Sequence, residues 1–518
     1  MSRLLLQIVT LLLLTNHSMA QQNWLPLNSF YKDQLLSNKL SEPYNQGSFY
    51  PVNEADYNLM PKIIDSTKRY YDATYILYQK HLFEINAKDV YITISAAANI
   101  SYGKDFGDTT ERNLLHNMRG VHVEGDFFKT FSFATTFYEN QARFSPYETN
   151  YYMSVGEQYP TSDTTYSTQN AVIPGAGRTK PFKDDGFDFA YATGYFVYSP
   201  VKTVRIAAGN NPQFIGDGHR SLLLSDNSYS APYIRLDWNI SDHFNFSYLR
   251  SRQINLLRRS VSSSAEVYYE SKGYSVNYFT YKPTNKSSIS LFEGSVWNRG
   301  NDTVSHFSHP LYFNPIPVLS GLILKDQDEV ASLLGLNMNF QIAKKHRAYG
   351  QLAMNDFNTS KIAYQIGYRG YDFFGLNDFT LQLEYNGVPR GVYEVSNRRL
   401  NYSHYNLPVA HSKGSGFSEL ILRTNYEHKH LYAELSSVFY LTKDYVENGH
   451  LSVSDLEPGT DNTIFYQSVE VGYRFNRKMN LVTFISWRYR TTTEPMTQTA
   501  NIIQAGFKTS LTNHYNDF

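Results

Sequence analysis

The sequence predicts an all-β fold, a transmembrane antiparallel β-barrel of roughly 16 to 20 strands with a small helical element at its N-terminal end. Three observations predict it. Many segments of about ten residues alternate between apolar and polar side chains. Short turns and long polar loops follow one another along the chain, as on the two rims of a barrel. The chain holds 44 Tyr and 33 Phe although its mean hydropathy is only −0.44, which suits strands that are apolar on one face.

The N-terminal residues have the pattern of a cleavable signal peptide. A single cation, Arg3, precedes an apolar run at 4–14, and small residues in the stretch 18–20 stand where a signal peptidase cuts. The run is shorter than the roughly 18 apolar residues that a membrane helix needs. We therefore expect residues 1–20 to be removed on export, so that the mature chain starts near Gln21. The chain has no cysteine, which excludes disulfides and a lipid-anchored cysteine.

The region 21–88 departs from the strand pattern, because its apolar and aromatic residues follow helical spacing. The residues with this spacing are Ile63, Ile64, Thr67, Tyr70, Tyr71, Tyr75, Tyr78 and Leu82. One interpretation is an ordinary soluble subdomain or a disordered leader. The other is a plug or cap at the periplasmic mouth of the barrel.

The rest of the chain, 89–518, carries the alternating segments of the barrel. In one of them Ile234 and Trp238 share one face, and Arg235 and Asp237 share the other. The same division recurs at 131–137, 381–386 and 468–475. A soluble sandwich also alternates, but its polar face looks to water. In a membrane barrel the polar face lines the lumen.

Connections of two lengths join the predicted strands. Short turns at 125–130, 199–203 and 427–430 each separate two alternating segments, as expected for tight periplasmic hairpins. The long irregular connections are 142–186, 210–232, 298–327, 387–417 and 442–463. The final residue of the sequence is Phe518, and we expect it on the last strand, where outer-membrane barrels commonly carry a terminal aromatic residue.

Charge and motifs exclude several classes of function. The chain has 47 basic and 47 acidic residues, so nothing indicates a nucleic-acid partner. Its 15 histidines form no HExxH pattern, and the serine-rich stretch 221–225 lacks a GxSxG elbow. Gly216, Gly218, Asp217 and Asp226 supply fewer oxygens than the six to eight or so that calcium takes. We expect no enzyme activity, no cofactor and no metal.

Polar side chains on the inward faces form the first candidate site. These residues are Arg235, Asp237, Gln365, Arg369, Gln382, Glu384, Asn386, Glu470 and Arg474. Mixed charges on one surface fit a salt-bridged ladder, since buried charges need partners. They also fit a surface that binds sugar or conducts solute, and the sequence leaves both interpretations open.

Aromatic loops form the second candidate site. One loop carries Tyr393, Tyr402, His404, Tyr405 and His411, and an earlier loop carries Tyr147, Tyr151, Tyr152, Tyr159 and Tyr166. Flat apolar faces combined with hydroxyl groups suit sugar stacking, and they suit packing at an interface equally. The sequence does not choose between these two roles.

Three blocks of sequence carry a resemblance to a known family. The stretch 209–236 reads GNNPQFIGDGHRSLLLSDNSYSAPYIRL. The stretch 349–419 contains YGQLAMNDF, KIAYQIGYRGYDFFGLNDFTLQLEYN, YSHYNLPVAH and GFSEL in that order. An early block has Met118-Arg119-Gly120, Glu124 and the tetrapeptide YENQ at 138–141. These blocks resemble the capsule-assembly Wzi family of outer-membrane β-barrels, and especially its RemB-like relatives in gliding Bacteroidetes-type bacteria.

Two departures from the family pattern affect local loops. Asp217 stands where the family tends to have proline in a Gly-Pro-Gly turn, and the tripeptide SKG at 412–414 replaces a more usual His-Pro-Leu-Gly sequence. The resemblance otherwise implies a barrel of about 18 strands. It also implies a small helical bundle that closes the periplasmic side, which favours the plug interpretation of 21–88.

The function that we expect follows from the resemblance. It is a non-enzymatic protein of the cell outer membrane that organises the cell surface. Such a protein attaches or assembles capsular polysaccharide or exopolysaccharide, or it supports gliding or secretion machinery. Its partners would be outer-membrane lipid, a surface polysaccharide, and motility or secretion proteins. A porin or specific solute channel is the alternative, because charged inward faces also suit conduction.

Overall fold

A computed structural model gives the fold of the chain. It describes residues 23–38, 48–53, 77–78, 81–110, 112–128, 130–160, 166–258, 269–298, 330–355, 361–395, 397–446, 457–493 and 497–518, with the single residues 314, 316, 318, 319 and 323. The predicted signal peptide lies outside the described residues. Of the residues with predicted helical spacing, only Tyr78 and Leu82 are described.

Within this part of the chain, 18 antiparallel strands form one closed barrel. The strands are β1 Val90–Asp105, β2 Asn113–Phe127, β3 Phe131–Arg143, β4 Gly186–Val201, β5 Val204–Gly209, β6 Tyr233–Asn239, β7 Phe244–Arg258, β8 Tyr269–Thr284, β9 Ser287–Asn298, β10 Val330–Ala343, β11 His346–Asn355, β12 Ile362–Tyr371, β13 Phe379–Val388, β14 Phe417–His428, β15 Leu431–Val446, β16 Glu457–Asn476, β17 Leu481–Thr492 and β18 Gln498–Thr509. β18 pairs with β1, with Ile502 opposite Asp105 and Lys508 opposite Asn99. The predicted fold class is confirmed.

Side chains alternate across the barrel wall as the sequence predicts. In β6, Ile234 is 61% exposed on the outer face, whereas Arg235 is only 3% exposed. In β12, Ile366 is 67% exposed and Gln365 is 2% exposed. The outer surface is therefore apolar and the inner surface polar, which is the arrangement that lipid around a barrel favours.

Short turns lie on one rim of the barrel and long loops on the other. The turns 128–130, 202–203 and 429–430 join β2 to β3, β4 to β5 and β14 to β15. Phe128 and Lys429 have φ angles of 52° and 58°, in the left-handed region that tight hairpins use. We call the two ends the short-turn rim and the long-loop rim.

Two separate segments cover the edge of β1. β18 pairs with it only as far as Asn99. Closer to the short-turn rim, the strand Phe83–Ala87 takes over and pairs with the stretch from Val90 to Ile94. This short strand falls in the stretch 21–88 that the sequence assigns to the plug. It continues the wall where β18 ends, so that the edge of β1 is not left open there.

Residues 510–518 turn into the lumen after β18 and we call them the tail. Phe518 therefore does not lie on the last strand, and this expectation from the sequence is wrong. Its ring stacks on Tyr151 with the ring centroids 3.8 Å apart. The reason is that the strand ends at Thr509, nine residues before Phe518, and the aromatic end finds a buried site among loop tyrosines.

The structure describes two α-helices in full. Helix α1, Ser29–Asn38, begins where the side-chain oxygen of Asn28 accepts a hydrogen bond from the backbone N–H of Phe30 at 2.9 Å. Helix α2, Pro146–Ser154, lies in the loop between β3 and β4 and has proline in its first turn. In the described part of the chain, no helix has the length and apolar character needed to cross a membrane.

The outward position of Ile366 gives the first prediction. Replacing it with arginine places a charge among lipid tails near the middle of β12. We expect Ile366→Arg to lower the free energy of unfolding in phospholipid vesicles by about 2–4 kcal/mol, measured by denaturant titration. The control is Phe128→Arg, since Phe128 is 70% exposed in a turn where a cation can reach water. Equal losses in the two variants would contradict the assignment of a lipid-facing surface.

Candidate functional site

Four stretches of the chain fold into the lumen and together form what we call the plug. They are 23–38 with 48–53, 210–232, 389–416 and the tail 510–518. The first two stretches are joined by a small antiparallel pairing of Phe49–Tyr50 with Phe214–Ile215. The plug therefore contains residues from both ends of the described chain and from two of the long loops.

The stretch 210–232 lies directly against the polar wall because two glycines permit it. Gly216 has a φ of 120°, a conformation that L side chains rarely adopt, and a Cβ there would overlap the amide of Gln351. A Cβ on Gly218 would lie 2.7 Å from the carboxylate of Glu384. Between them, Asp217 accepts hydrogen bonds from the hydroxyls of Ser48 at 3.1 Å and Tyr50 at 3.0 Å.

The side chain of Arg220 forms the centre of the plug, and we call its contacts the Arg220 lock. Its Nε and one terminal nitrogen donate to Glu419 of β14 at 3.1 Å. The same terminal nitrogen donates to Asp517 of the tail. Glu384 of β13 accepts the backbone N–H groups of His219 and Arg220 at 2.7 and 3.0 Å. The guanidinium thus joins a loop, the wall and the tail.

The predicted inward residues of β12 and β13 belong to the same network. Gln365 donates to the side-chain oxygen of Asn386 at 2.9 Å, and Asn386 donates to Glu419 at 2.8 Å. Gln382 donates to the hydroxyl of Tyr349 at 2.7 Å. These inward side chains hold one another and the plug.

The predicted arginines of β6 and β12 also contact the plug. Arg235 donates to Gln213 at 2.9 Å and to Asp237 at 3.0 Å. Arg369 donates to Asp33 of α1 at 2.9 Å, and its side chain is only 1% exposed. These contacts match the ladder of paired charges that the sequence offered as one of its two interpretations.

The later aromatic loop, for which the sequence left sugar stacking and packing both open, folds inward. Tyr393 donates through its hydroxyl to the carbonyl of Leu222 at 3.0 Å, and Tyr402 donates to that of Leu223 at 2.8 Å. The Nε2 of His411 lies 2.7 Å from Glu419. All three side chains are buried. The two tyrosines hold the loop against the stretch 210–232, and His411 holds it against the wall.

His404 and Tyr405 cover part of β7 that the preceding strand leaves unpaired. Pairing of β6 with β7 stops at Ser251. Beyond it, the Nδ1 of His404 accepts the backbone N–H of Ile254 at 3.0 Å, and the N–H of Tyr405 donates to the carbonyl of Ile254 at 2.9 Å. Burial, with the charge of Lys272 adding to it, lowers the pKa of His404 to about 3. The imidazole is therefore neutral at ordinary pH and can accept this hydrogen bond.

Loop tyrosines and a buried acid hold the tail. Tyr147 of α2 donates to the carbonyl of Asn516 at 2.9 Å. Asp226 accepts hydrogen bonds from Asn513 and Tyr515, each at 2.8 Å. Burial raises the pKa of Asp226, although both donors oppose the shift. The earlier tyrosine loop therefore packs on the tail, while the side chain of Tyr166 lies outside the described residues.

A polar cavity remains between the tail and the wall. Its volume is about 360 Å³, which is in the range of small-ligand sites. Charges of both signs line it, and two pairs of them lie 2.7 Å apart: Glu148 with Arg488, and Glu470 with Lys508. The Nε of Arg474, the other inward residue predicted on β16, lies 3.3 Å from a carboxylate oxygen of Glu427. In the described part of the chain, no group of three or more acids and histidines is arranged to hold a metal ion.

Sequence reasoning missed the residues at the centre of the plug. Arg220, Glu419 and Asp517 lie far apart in sequence, and no period relates them. One signal was available: Arg220 lies two residues before the apolar segment 222–224, and such a charge needs a partner if the segment is buried.

The fold defines a closed, plugged 18-stranded antiparallel barrel. Among solved structures it is similar to Wzi of Escherichia coli, described as an outer membrane protein involved in group 1 capsule assembly and a carbohydrate-binding β-barrel. The identity is 10%, the TM-score is 0.52, and the match covers 94% of this chain and 98% of that chain. At this identity the likeness shows the fold alone. The further resemblance to RemB-like proteins stays a prediction.

Weaker similarity extends to other barrels. Acinetobacter baumannii OccAB4 and Pseudomonas aeruginosa OccK7 each have 9% identity and a TM-score of 0.42, with 81% of this chain and 98% of theirs covered. No protein-family model and no curated protein matches the sequence.

The Arg220 lock gives the second prediction. Arg220→Ala leaves the carboxylates of Glu419 and Asp517 buried without their cation, which costs about 3–5 kcal/mol. We expect the tail to become accessible while the wall persists. A single cysteine in place of Ser510, in a chain that has none, reports this by its rate of thiol labelling. Arg477→Ala is the control, because Arg477 is half exposed in its pair with Glu427 and such pairs contribute about 0–1 kcal/mol. Equal labelling rates would contradict the lock.

The pKa of His404 gives the third prediction. Because the folded value, about 3, lies below the ordinary 6.5, the unfolded chain binds a proton between these pH values that the folded chain does not. The stability that the neutral, buried imidazole of His404 confers on the fold is complete above pH 6.5 and is lost as the pH falls toward 3. As the pH is lowered through this range, the free energy of unfolding of the wild type should therefore fall more steeply than that of His404→Gln, by at most about 1.4 kcal/mol per pH unit. His428→Gln, at an exposed strand end, is the control, and parallel pH curves for wild type and His404→Gln would refute the prediction.

Proposed function

We propose that this chain is a non-enzymatic protein of the bacterial outer membrane that holds surface polysaccharide on the cell. The plugged lumen carries this proposal. Polar side chains of the wall and plug, Arg235 and Glu419 among them, form hydrogen bonds with one another. Ligands of polymer size are therefore left with the long-loop rim, the end of the barrel opposite the tight periplasmic-type turns.

Two further observations support the proposal. The outer face is apolar around the barrel, as lipid requires. The Wzi barrel, whose fold is similar, is described as binding carbohydrate and taking part in capsule assembly. The family resemblance in the stretches 209–236 and 349–419 points to the same role, and residues of both stretches meet at the Arg220 lock.

A cell-based assay tests polysaccharide attachment. Cells that lack the protein should shed capsular polysaccharide or exopolysaccharide into the medium, while total synthesis stays the same. The full-length chain should restore cell-bound glycan, and the Arg477→Ala variant serves as a folded control. If cells without the protein retain as much glycan as complemented cells, the attachment role fails.

A solute channel is the second candidate, and the polar cavity favours it. The cavity of about 360 Å³ lies beside the tail and is lined by charges of both signs, as a conduction path would be. A role beside gliding or secretion machinery is a third candidate. It requires a protein partner, which would remain with the detergent-solubilised barrel during purification.

Conductance separates the plugged barrel from the channel and gives the fourth prediction. In planar bilayers the full-length chain should show no stable large pore, because the plug crosses the lumen. A variant without residues 510–518 keeps all of β1 to β18 but loses Asp517 and its lock, and it should show frequent openings. A stable open pore in the full-length chain would overturn the plugged-barrel proposal in favour of the channel.

A further inference from the structure

A buried acid holds two arginines together at the long-loop rim. The side chain of Glu157 is fully buried, and it lies just after α2. The Nε of Arg258 donates to it at 2.7 Å, and a terminal nitrogen of Arg178 donates at 3.3 Å. Tyr269 donates its hydroxyl to the same carboxylate. Since Arg258 ends β7 and Tyr269 begins β8, the group stands where the long loops emerge.

The group carries excess positive charge on its outer side. One carboxylate faces two guanidinium groups. Glu157 lies behind them at 0% exposure, whereas the side chain of Arg178 is 40% exposed and that of Arg258 is 19% exposed. Burial raises the pKa of Glu157, but hydrogen bonds from Tyr269, Asn170 and Arg258 outweigh it and lower the pKa to about 2. The carboxylate is thus ionised at any physiological pH and fixes both cations in place.

Aromatic rings flank the two cations. The guanidinium of Arg258 lies 4.7 Å from the ring centre of Tyr159 and 5.2 Å from that of Tyr269. Tyr269 and Tyr405 pack against one apolar cluster, which gives these rings a rigid base. We call Tyr159, Arg178, Arg258 and Tyr269 the rim cradle.

We propose that the rim cradle binds the carboxylate of an acidic sugar, a hexuronate unit within a polysaccharide. An arginine fork matches a carboxylate in two parallel hydrogen bonds. A tyrosine ring offers a flat apolar face and a hydroxyl to a pyranose. One terminal nitrogen of Arg178 donates to Glu157 and Tyr269. Among the described residues, its Nε and second terminal nitrogen have no hydrogen-bond partner, and we assign them to the ligand.

The contrast with the lumen supports this assignment. In the lumen, Arg220 and Arg369 are at most 2% exposed and are paired with acids of the wall, the tail or the plug. Arg178 combines fixed geometry with access to solvent. The inference rests on the proposed polysaccharide role and names the class of sugar at one place on the rim. A phosphate group of lipopolysaccharide offers a similar anion on a different carrier, which the experiment must distinguish.

Binding of defined saccharides to the full-length barrel in nanodiscs tests the proposal. The probes are an oligogalacturonate, a neutral galactose oligomer of equal length, and purified lipopolysaccharide. We expect the oligogalacturonate to bind the wild type, and the neutral oligomer to bind at least about tenfold more weakly. Arg178→Gln should weaken oligogalacturonate binding about tenfold or more. Rising salt should weaken binding to the wild type.

Two further variants are compared with Arg178→Gln: one is a control for lost charge, and the other tests the flanking ring. Arg112→Gln removes another half-exposed arginine of the same rim, paired with Asp185, and should leave affinity within about twofold. Tyr159→Leu keeps both arginines but removes one flanking ring, and should also weaken binding. Heat-dependent migration in gels confirms that each variant forms the barrel.

The outcomes are distinguishable. If oligogalacturonate and neutral oligomer bind equally, or Arg178→Gln and Arg112→Gln behave alike, the rim cradle is wrong while a polysaccharide role stands. If only lipopolysaccharide binds in a manner that depends on Arg178, the ligand is a lipid-borne phosphate and the hexuronate assignment is overturned. If no saccharide binds and cells without the protein retain their glycan, the proposed function itself fails.

Discussion

The guanidinium of Arg220 is the buried charge on which the arrangement of the lumen depends. It contacts Glu419 of the wall and Asp517 of the tail, and the backbone N–H of the same residue donates to Glu384. A cation in such a place has lost its water and must recover that free energy from partners in good geometry. The loop and the tail therefore reach their places only when this cation joins both of them to the wall.

The same constraint explains why the lumen is polar and yet filled. A barrel of 18 strands is too wide for its own side chains to fill, so backbone from four stretches of the plug occupies part of it. Each buried N–H and carbonyl then needs a partner. Inward side chains supply them: Gln351 accepts the N–H of Leu222 at 2.7 Å, and Tyr402 donates to the carbonyl of Leu223. The polar inner face is the means by which irregular backbone is accommodated.

The sequence predicted the wall well and the plug poorly, for a physical reason. A period of two tells which face a residue is on, so Arg235 and Gln365 were assigned to the lumen from the sequence alone. This alternation does not show which distant segment of the chain packs against that face. Asp33 as the partner of Arg369, the inward fold of Tyr402, and the position of Phe518 beyond β18 all depend on contacts between remote stretches. For the aromatic loop the sequence left both sugar stacking and packing open, because tyrosine and histidine suit either role.

The sequence separation across the plug has a consequence for how the protein is built. Arg220 and Asp517 are 297 positions apart, and Tyr147 and Asn516 are 369 apart. Closing loops of this length is slow, because their entropy is lost before any contact rewards it. The plug contacts can form only after the strands between these residues have paired. The connectivity thus imposes an order of assembly: the wall forms first, and the plug docks in the lumen only once the wall is complete.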